Sequence, residues 1–311
     1  MSKAQSSKLK AQTLNLLWRV SVSTSVEAED AISALFGELF PEPASAYTDA
    51  RTGRTVVAVY CPGRARPRPQ IVGELRKGIE RIRACSLDVA PGRVAIKAVP
   101  AEDWAETWKK HFKPLEIGAE LLIKPGWSKR RPRKGQALVV LDPGLSFGTG
   151  QHPTTSFCLR QLVAWRDPQR RQVFLDLGTG SGILAIAAAK LGYEPVHAVD
   201  LDPVAVRVAR TNAIRNGVQD RVRVSRRDIA RLPRHRGVPY DVICANLSYD
   251  LLLGAQQTLP ERLRPGGKLV LAGLLKTQFD RVQKAYSAAG LTLIRSRVEK
   301  GWQSAVFGRS G

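Results

Sequence analysis

"LDLGTGSGILAIAAA", residues 175–189, places a glycine-rich turn between a short apolar strand and an alanine-rich helix. In a parallel α/β sheet such a turn lies at the carboxyl edge of the strands, where ligands bind, and glycine lets the backbone approach them closely. Gly178, Gly180 and Gly182 spell GxGxG. The dinucleotide fingerprint GxGxxG needs a glycine at 183, where Ile183 stands, and no Lys-Ser/Thr follows to make a phosphate-binding P-loop. Asp176, just before the glycines, repels phosphate and attracts a cationic amine. The next strand, "PVHAVD", ends on Asp200, 22 residues beyond Gly178. An acid there accepts hydrogen bonds from both ribose hydroxyls and disfavours a 2′-phosphate. Asp176, Gly178, Gly180 and Asp200 together describe a nucleoside with an amino-acid tail, hence S-adenosylmethionine (SAM) rather than NAD.

Outward from this turn, short apolar strands alternate with helices from Val173 onward, the pattern of a doubly wound α/β domain with a parallel sheet. "YDLLLGAQQTLPERL" reads as one helix, and "LTLIRSRVEKG" with "WQSAVFGR" as a terminal antiparallel hairpin. Asp228 follows the third strand, where it can meet an adenine amino group or serve as a loop carboxylate offsetting Arg226 and Arg227. Asn246 ends the strand "YDVICAN". A neutral amide at that position can accept an N–H and direct a nitrogen lone pair, and transfer from sulfonium to nitrogen is an in-line displacement governed by geometry. A lysine ammonium, with a pKa of about 10.4 in model peptides, must first lose a proton. No dedicated base stands out, so deprotonation by solvent, aided by the sulfonium charge, is expected. Tyr249 is read either as a helix-start packing residue or as part of an amine-binding "NLSY".

Residues 1–13 read as a disordered basic tail. Over 14–100 the elements run β-α-β-β-α-β, a small ferredoxin-like domain with nothing catalytic in it, suited to substrate recognition. "AEDWAETWKKHFKP", residues 101–114, reads as a linker helix with Trp104 and Trp108 on one face, and 115–311 as the catalytic domain. The four cysteines form no CxxC pair, which argues against a metal site or disulfide framework and for a reducing cytoplasm. No apolar run reaches the ~20 residues that a bilayer span needs. A net charge of +22 favours polyanions, with a ribosome or rRNA first among them, although solvated arginine-rich faces would give the same composition.

A second glycine turn, "DPGLSFGTGQHPTTSFCL" at 142–159, lacks the strand-turn-helix form. Pro153 suits the first turn of a helix reaching Trp165, which leaves Gly148 to Gly150 as a cover and sets Thr154 and Thr155 at a helix N-terminus. His152 is open to two readings, a base or a residue that holds its own turn.

With "DWAETWKKHFKPLEIGAELLIKPGW", "LDLGTGSGILAIAAAKLG", "DLDPVAVRVARTNAIRNGV" and "DVICANL", this second turn resembles the ordered motifs of the PrmA family, methyltransferases of ribosomal protein uL11. The resemblance runs from about Asp103 to "GWQSAVFGR". It implies a Rossmann-like class I domain that uses SAM, releases S-adenosylhomocysteine, and methylates lysine ε-amines and the N-terminal α-amine of uL11. It implies SAM contacts at Thr155, Gly178, Asp200 and Asn246, with Phe147 and its neighbouring glycines in a loop beside the cofactor. The chain departs from the family at Ser146, where alanine is usual, and at "NLSY", where an "NIL"-like stretch is usual. Methylation of another protein or of RNA, and a non-catalytic ribosome-binding role, are the competing expectations.

Overall fold

The computed structural model describes residues 16–42, 44–48, 54–62, 69–85, 87–100, 113–142, 152–231 and 239–309. The expected tail, nearly all of the linker helix and the loop holding Phe147 lie outside them. The chain divides into two compact units, Met1–Phe112 and Lys113–Gly311.

In the first unit, β1 (Leu16–Thr24), α1 (Glu29–Leu39), β2 (Ser45–Thr48), β3 (Thr55–Pro62), α2 (Pro69–Ala84) and β4 (Arg93–Pro100) follow one another. The sheet has the order β2-β3-β1-β4 and is antiparallel throughout. Alternate residues Val20 and Val22 of β1, with Val57 and Val59 of β3, form the buried face. Against it pack Ile32 and Phe36 from α1 and Leu75 and Ile79 from α2, each pair four residues apart on one helical face.

The second unit opens with a three-stranded sheet, β5 (Leu115–Ile117), β6 (Leu121–Lys124) and β7 (Ala137–Val140). In the basic loop between β6 and β7, Arg130 and Arg133 both pair with Glu116, at 2.5 and 2.9 Å. Then come α3 (Pro153–Ala164), β8 (Phe174–Leu177), α4 (Ile183–Leu191), β9 (Val196–Asp200), α5 (Pro203–Arg215), β10 (Val222–Arg226) and β11 (Tyr240–Asn246). The remainder is α6 (Tyr249–Gly254), α7 (Thr258–Arg262), β12 (Leu263–Leu275), α8 (Lys276–Ala288), β13 (Leu291–Glu299) and β14 (Trp302–Arg309).

These strands form a seven-stranded sheet of order β10-β9-β8-β11-β12-β14-β13. Helices α3 and α4 cover one face and α6, α7 and α8 the other, so the central strands are apolar on both sides. Strand order reverses between β8 and β11, which places a ligand crevice at their carboxyl ends.

Two expectations need refinement. The stretch read as one helix over 249–263 breaks after Gly254 into α6 and α7; Pro260, which has no N–H to donate to the carbonyl of residue 256, cannot continue the first helix. The closing hairpin is not simply appended: β14 inserts between β12 and β13, antiparallel to both. Lys300 and Gly301, at φ 52° and 82°, make the reversal that returns the chain inward.

Candidate active site

All three glycines of the first quoted turn occupy the left-handed region, with φ of 72° at Gly178, 52° at Gly180 and 81° at Gly182. The Gly178 and Thr179 N–H groups both donate to the Val199 carbonyl, at 2.9 and 3.0 Å, tying the turn to β9. From α5, Asn212 donates to the Ser181 carbonyl at 2.8 Å, and Ala209 lies so close that a Cβ on Gly182 would sit 3.1 Å from its own. Neither residue was singled out by the sequence. Their only signal is a small residue and an amide three apart on the inner face of α5.

Asp176 is fully buried on β8. Its Oδ2 accepts from Thr179 Oγ1 at 2.7 Å and from the Ala185 N–H at 3.2 Å. Oδ1 is buried too, with no hydrogen-bond partner among the described residues. A buried polar atom without a partner is costly, so this oxygen calls for a donor that the chain itself does not supply. Burial pushes the carboxyl up to about 7, Asp200 adds to the rise, and the Thr179 and Ala185 hydrogen bonds oppose it.

Asp200 ends β9, one strand over. Its Oδ2 accepts from the Gly180 N–H at 2.9 Å and its Oδ1 from the Asp202 N–H at 3.0 Å. Each oxygen thus keeps a lone pair for a further donor. Asn246 ends β11 on the other side of β8, opposite Ala272, while its neighbour Ala245 is opposite Leu177. Its side chain is half-buried and makes no hydrogen bond among the described residues. The chain next bends at Leu247, whose N–H donates to Ala272 at 3.1 Å and whose side chain lies over Gly178.

Gly273 fits beneath this bend at φ 88°, and a Cβ there would fall on the Leu247 carbonyl oxygen. Gly273→Ala is therefore expected to destabilise the fold by about 2–4 kcal/mol, combining backbone strain with overpacking. A urea midpoint unchanged from the parent would refute that close approach.

Thr155 lies in the first turn of α3, with its hydroxyl buried and without a partner among the described residues. One turn later on the same face, the Cys158 thiol hydrogen-bonds Cys244, two residues below Asn246 on β11. His152 holds its own turn through Nδ1 and Thr154 Oγ1, 2.7 Å apart, and its ring meets Trp302 edge-on at 5.1 Å between centroids. Burial, and secondarily the Lys300 charge, push the imidazole down to about 4. Asp228 pairs with Arg231 at 3.4 Å, while Arg226 donates to the Leu201 carbonyl. Tyr249 packs on the apolar core at the start of α6.

The adjacent strands β9, β8 and β11 thus bring Asp176, Gly178, Gly180, Asp200 and Asn246 to one crevice. The bare Asp176 oxygen and the spare lone pairs of Asp200 fit the ammonium and the ribose of SAM. A cation at Oδ1 selects the ionised carboxylate. SAM affinity should therefore rise about tenfold from pH 6 to pH 8, as the fraction of Asp176 ionised climbs through its pKa. Titration calorimetry checks this, and Asp176→Asn should flatten the profile. A pH-independent affinity in the parent would mean that no cation meets this carboxylate.

Three comparisons bear on what this crevice does. The sequence profile described as Ribosomal protein L11 methyltransferase (PrmA) matches residues 7–310. A ribosomal protein L11 methyltransferase of Trichlorobacter lovleyi is 42% identical over 221 residues, covering 70% of this chain and 70% of the relative. Its counterpart in an Exiguobacterium species is 38% identical over 234 residues, covering 75% of this chain and 72% of the relative. The crystal structure of a ribosomal protein L11 methylase from Lactobacillus delbrueckii subsp. bulgaricus aligns with a TM-score of 0.56 at 28% identity, covering 64% of this chain and 99% of that one.

Proposed function

Because the chain belongs to the ribosomal protein L11 methyltransferase (PrmA) family, we propose that it methylates lysine ε-amines, the N-terminal α-amine or both on ribosomal protein uL11 with SAM as donor. The observation that carries the reading is the buried Asp176 carboxylate, with one oxygen unpaired among the described residues, beneath a left-handed glycine turn closed by Asp200.

When bound, SAM would supply a methyl carbon on sulfonium to which an amine lone pair bonds as the carbon–sulfur bond breaks, with S-adenosylhomocysteine as the leaving group. Asp176 Oδ1 holds the ammonium of its amino-acid tail, and the Gly178–Gly182 turn gives the backbone room beside it. Asp200 would accept from the ribose and the Thr155 hydroxyl would add a further contact, while Phe147 is assigned to the cofactor loop by the family resemblance alone. The Asn246 carboxamide accepts an N–H of the incoming amine and so turns the nitrogen lone pair towards the methyl group. The lysine proton leaves to solvent. His152 is a poor base for it, since an imidazole pushed down to about 4 holds a proton far more weakly than an amine does.

The ferredoxin-like unit over 14–100 carries none of these residues and serves to recognise the protein substrate. The enzyme works in the cytoplasm beside ribosomes or rRNA, an association supported by its net charge of +22. No helix among the described residues is long and apolar enough to cross a membrane.

Labelled SAM incubated with purified uL11, assembled ribosomes and protein-free rRNA tests the acceptor. Label is expected in uL11. Label in RNA alone would move the acceptor to nucleic acid, and SAM binding without transfer would leave only a ribosome-binding factor.

A further inference from the structure

We propose that the β10 edge of the seven-stranded sheet, together with the exposed side of α5, binds the phosphate backbone of double-helical RNA. Strand β10 is an outer strand of its sheet, and α5 packs beside it. From Pro203 to Arg227 the chain holds seven arginines, no lysine and a single acid, Asp220. Arg207, Arg210, Arg223 and Arg226 are exposed, and none pairs with a carboxylate among the described residues. Elsewhere in this unit several arginines meet carboxylates, Arg130 and Arg133 at Glu116, Arg170 and Arg264 at Asp241, Arg171 at Glu194, while other exposed arginines, Arg131, Arg160, Arg281 and Arg295, stand on separate segments. Arg215, at the end of α5, is likewise taken by Asp142 at 2.5 Å. What sets this edge apart is that four exposed arginines without a carboxylate partner among the described residues fall on one helix and the strand beside it.

Two of these guanidinium groups are held in place by the backbone. Arg210 Nη2 donates to the Val224 carbonyl at 2.8 Å, and Arg226 Nε to the Leu201 carbonyl at 3.0 Å. Each bond uses one donor of five and leaves the rest of the fork for an anion. An arginine fork matches phosphate geometry in a way that lysine cannot. Side chains alternate along β10, so Arg221 and Arg223 stand on one face and Arg226 on the other, and the arginines flank the outer edge of the sheet from both sides.

Protection of a bare sheet edge explains less, because a charge on the edge strand suffices for that and Arg207 lies on the helix. The duplex form follows from what the patch lacks. Residues 203–231 contain no aromatic side chain, so single-stranded bases would find no stacking platform. Backbone and shape contacts, as on duplex RNA, are what remain. The inference rests on the RNA-proximity part of the function proposed above and not on its methyl-transfer part.

The test measures binding of the full chain to a short RNA duplex of arbitrary sequence over a range of salt. The variant R207Q/R210Q/R223Q is compared with R281Q/K284Q/R295Q, which removes three exposed charges from α8 and β13 at the opposite edge. In the edge variant the slope of log K against log salt should fall by about three, with at least about a tenfold loss of affinity near 0.15 M salt. The control should stay within about twofold of the parent. SAM affinity, measured on each variant, should be unchanged and shows that the fold and cofactor site are intact. Equal losses in the two variants would overturn the proposal in favour of diffuse charge. Failure of the parent to bind duplex RNA, or tighter binding to an acidic polypeptide than to RNA, would overturn it as well. None of these outcomes bears on transfer to uL11, which the labelling experiment reads separately.

Discussion

Replacing Asn246 by alanine should lower turnover on uL11 by about a hundredfold or more, while SAM affinity stays within about threefold of the parent. The side chain sits on the last residue of β11, a strand hydrogen-bonded on both flanks, so its position is set by the sheet and not by a loop. Its carboxamide makes no hydrogen bond among the described residues, which leaves the oxygen available to an incoming amine. Removing it leaves the amine free to rotate, and misorientation at an in-line displacement costs rate far more than it costs binding. Asn246→Asp separates positioning from mere occupancy. It keeps an acceptor but adds a charge that favours the ammonium, so its activity should recover partly as pH rises towards the lysine pKa. Steady-state kinetics and calorimetry on both variants provide the check. Normal turnover in the alanine variant would remove Asn246 from the mechanism.

Asp200→Ala should weaken SAM binding by at least about a hundredfold, with a loss of only about 1 kcal/mol in stability. Two effects combine in the binding term. The ribose loses its acceptors, and the Gly180 N–H loses the partner that fixes the glycine turn at 2.9 Å. Asp200→Asn keeps one oxygen and should fall between the two. Equilibrium dialysis with labelled SAM measures both, and an unchanged dissociation constant in the alanine variant would place the ribose elsewhere.

Much of this crevice is legible in the sequence because a strand buried on both faces is a mostly apolar run, and a polar residue that closes it marks the carboxyl edge. Asp200 and Asn246 are both such residues. Asp176 is legible as a carboxylate at the turn by its place before the glycines. That one of its oxygens would be consumed by Thr179 and Ala185, leaving the other bare, depends on how α4 enters from the turn. Ala209 and Asn212 are not legible, since an alanine and an asparagine on a helix carry no mark of which loop they will support. The insertion of β14 between β12 and β13 escapes detection for a related reason. Alternation of polar and apolar residues fixes which face of a strand is buried, not which neighbour it pairs with. The break between α6 and α7 does leave a mark, Pro260, since a continuous helix over 249–263 would place that proline in its interior.

Methyl transfer to uL11 is tested most directly by mass spectrometry of purified uL11 before and after incubation with this protein and SAM. The expected result is a gain in whole methyl increments, with fragmentation placing them on lysine ε-amines, the N-terminal α-amine or both, and with no gain when Asn246→Ala replaces the parent. An unchanged uL11 mass under conditions where SAM demonstrably binds would contradict the assignment.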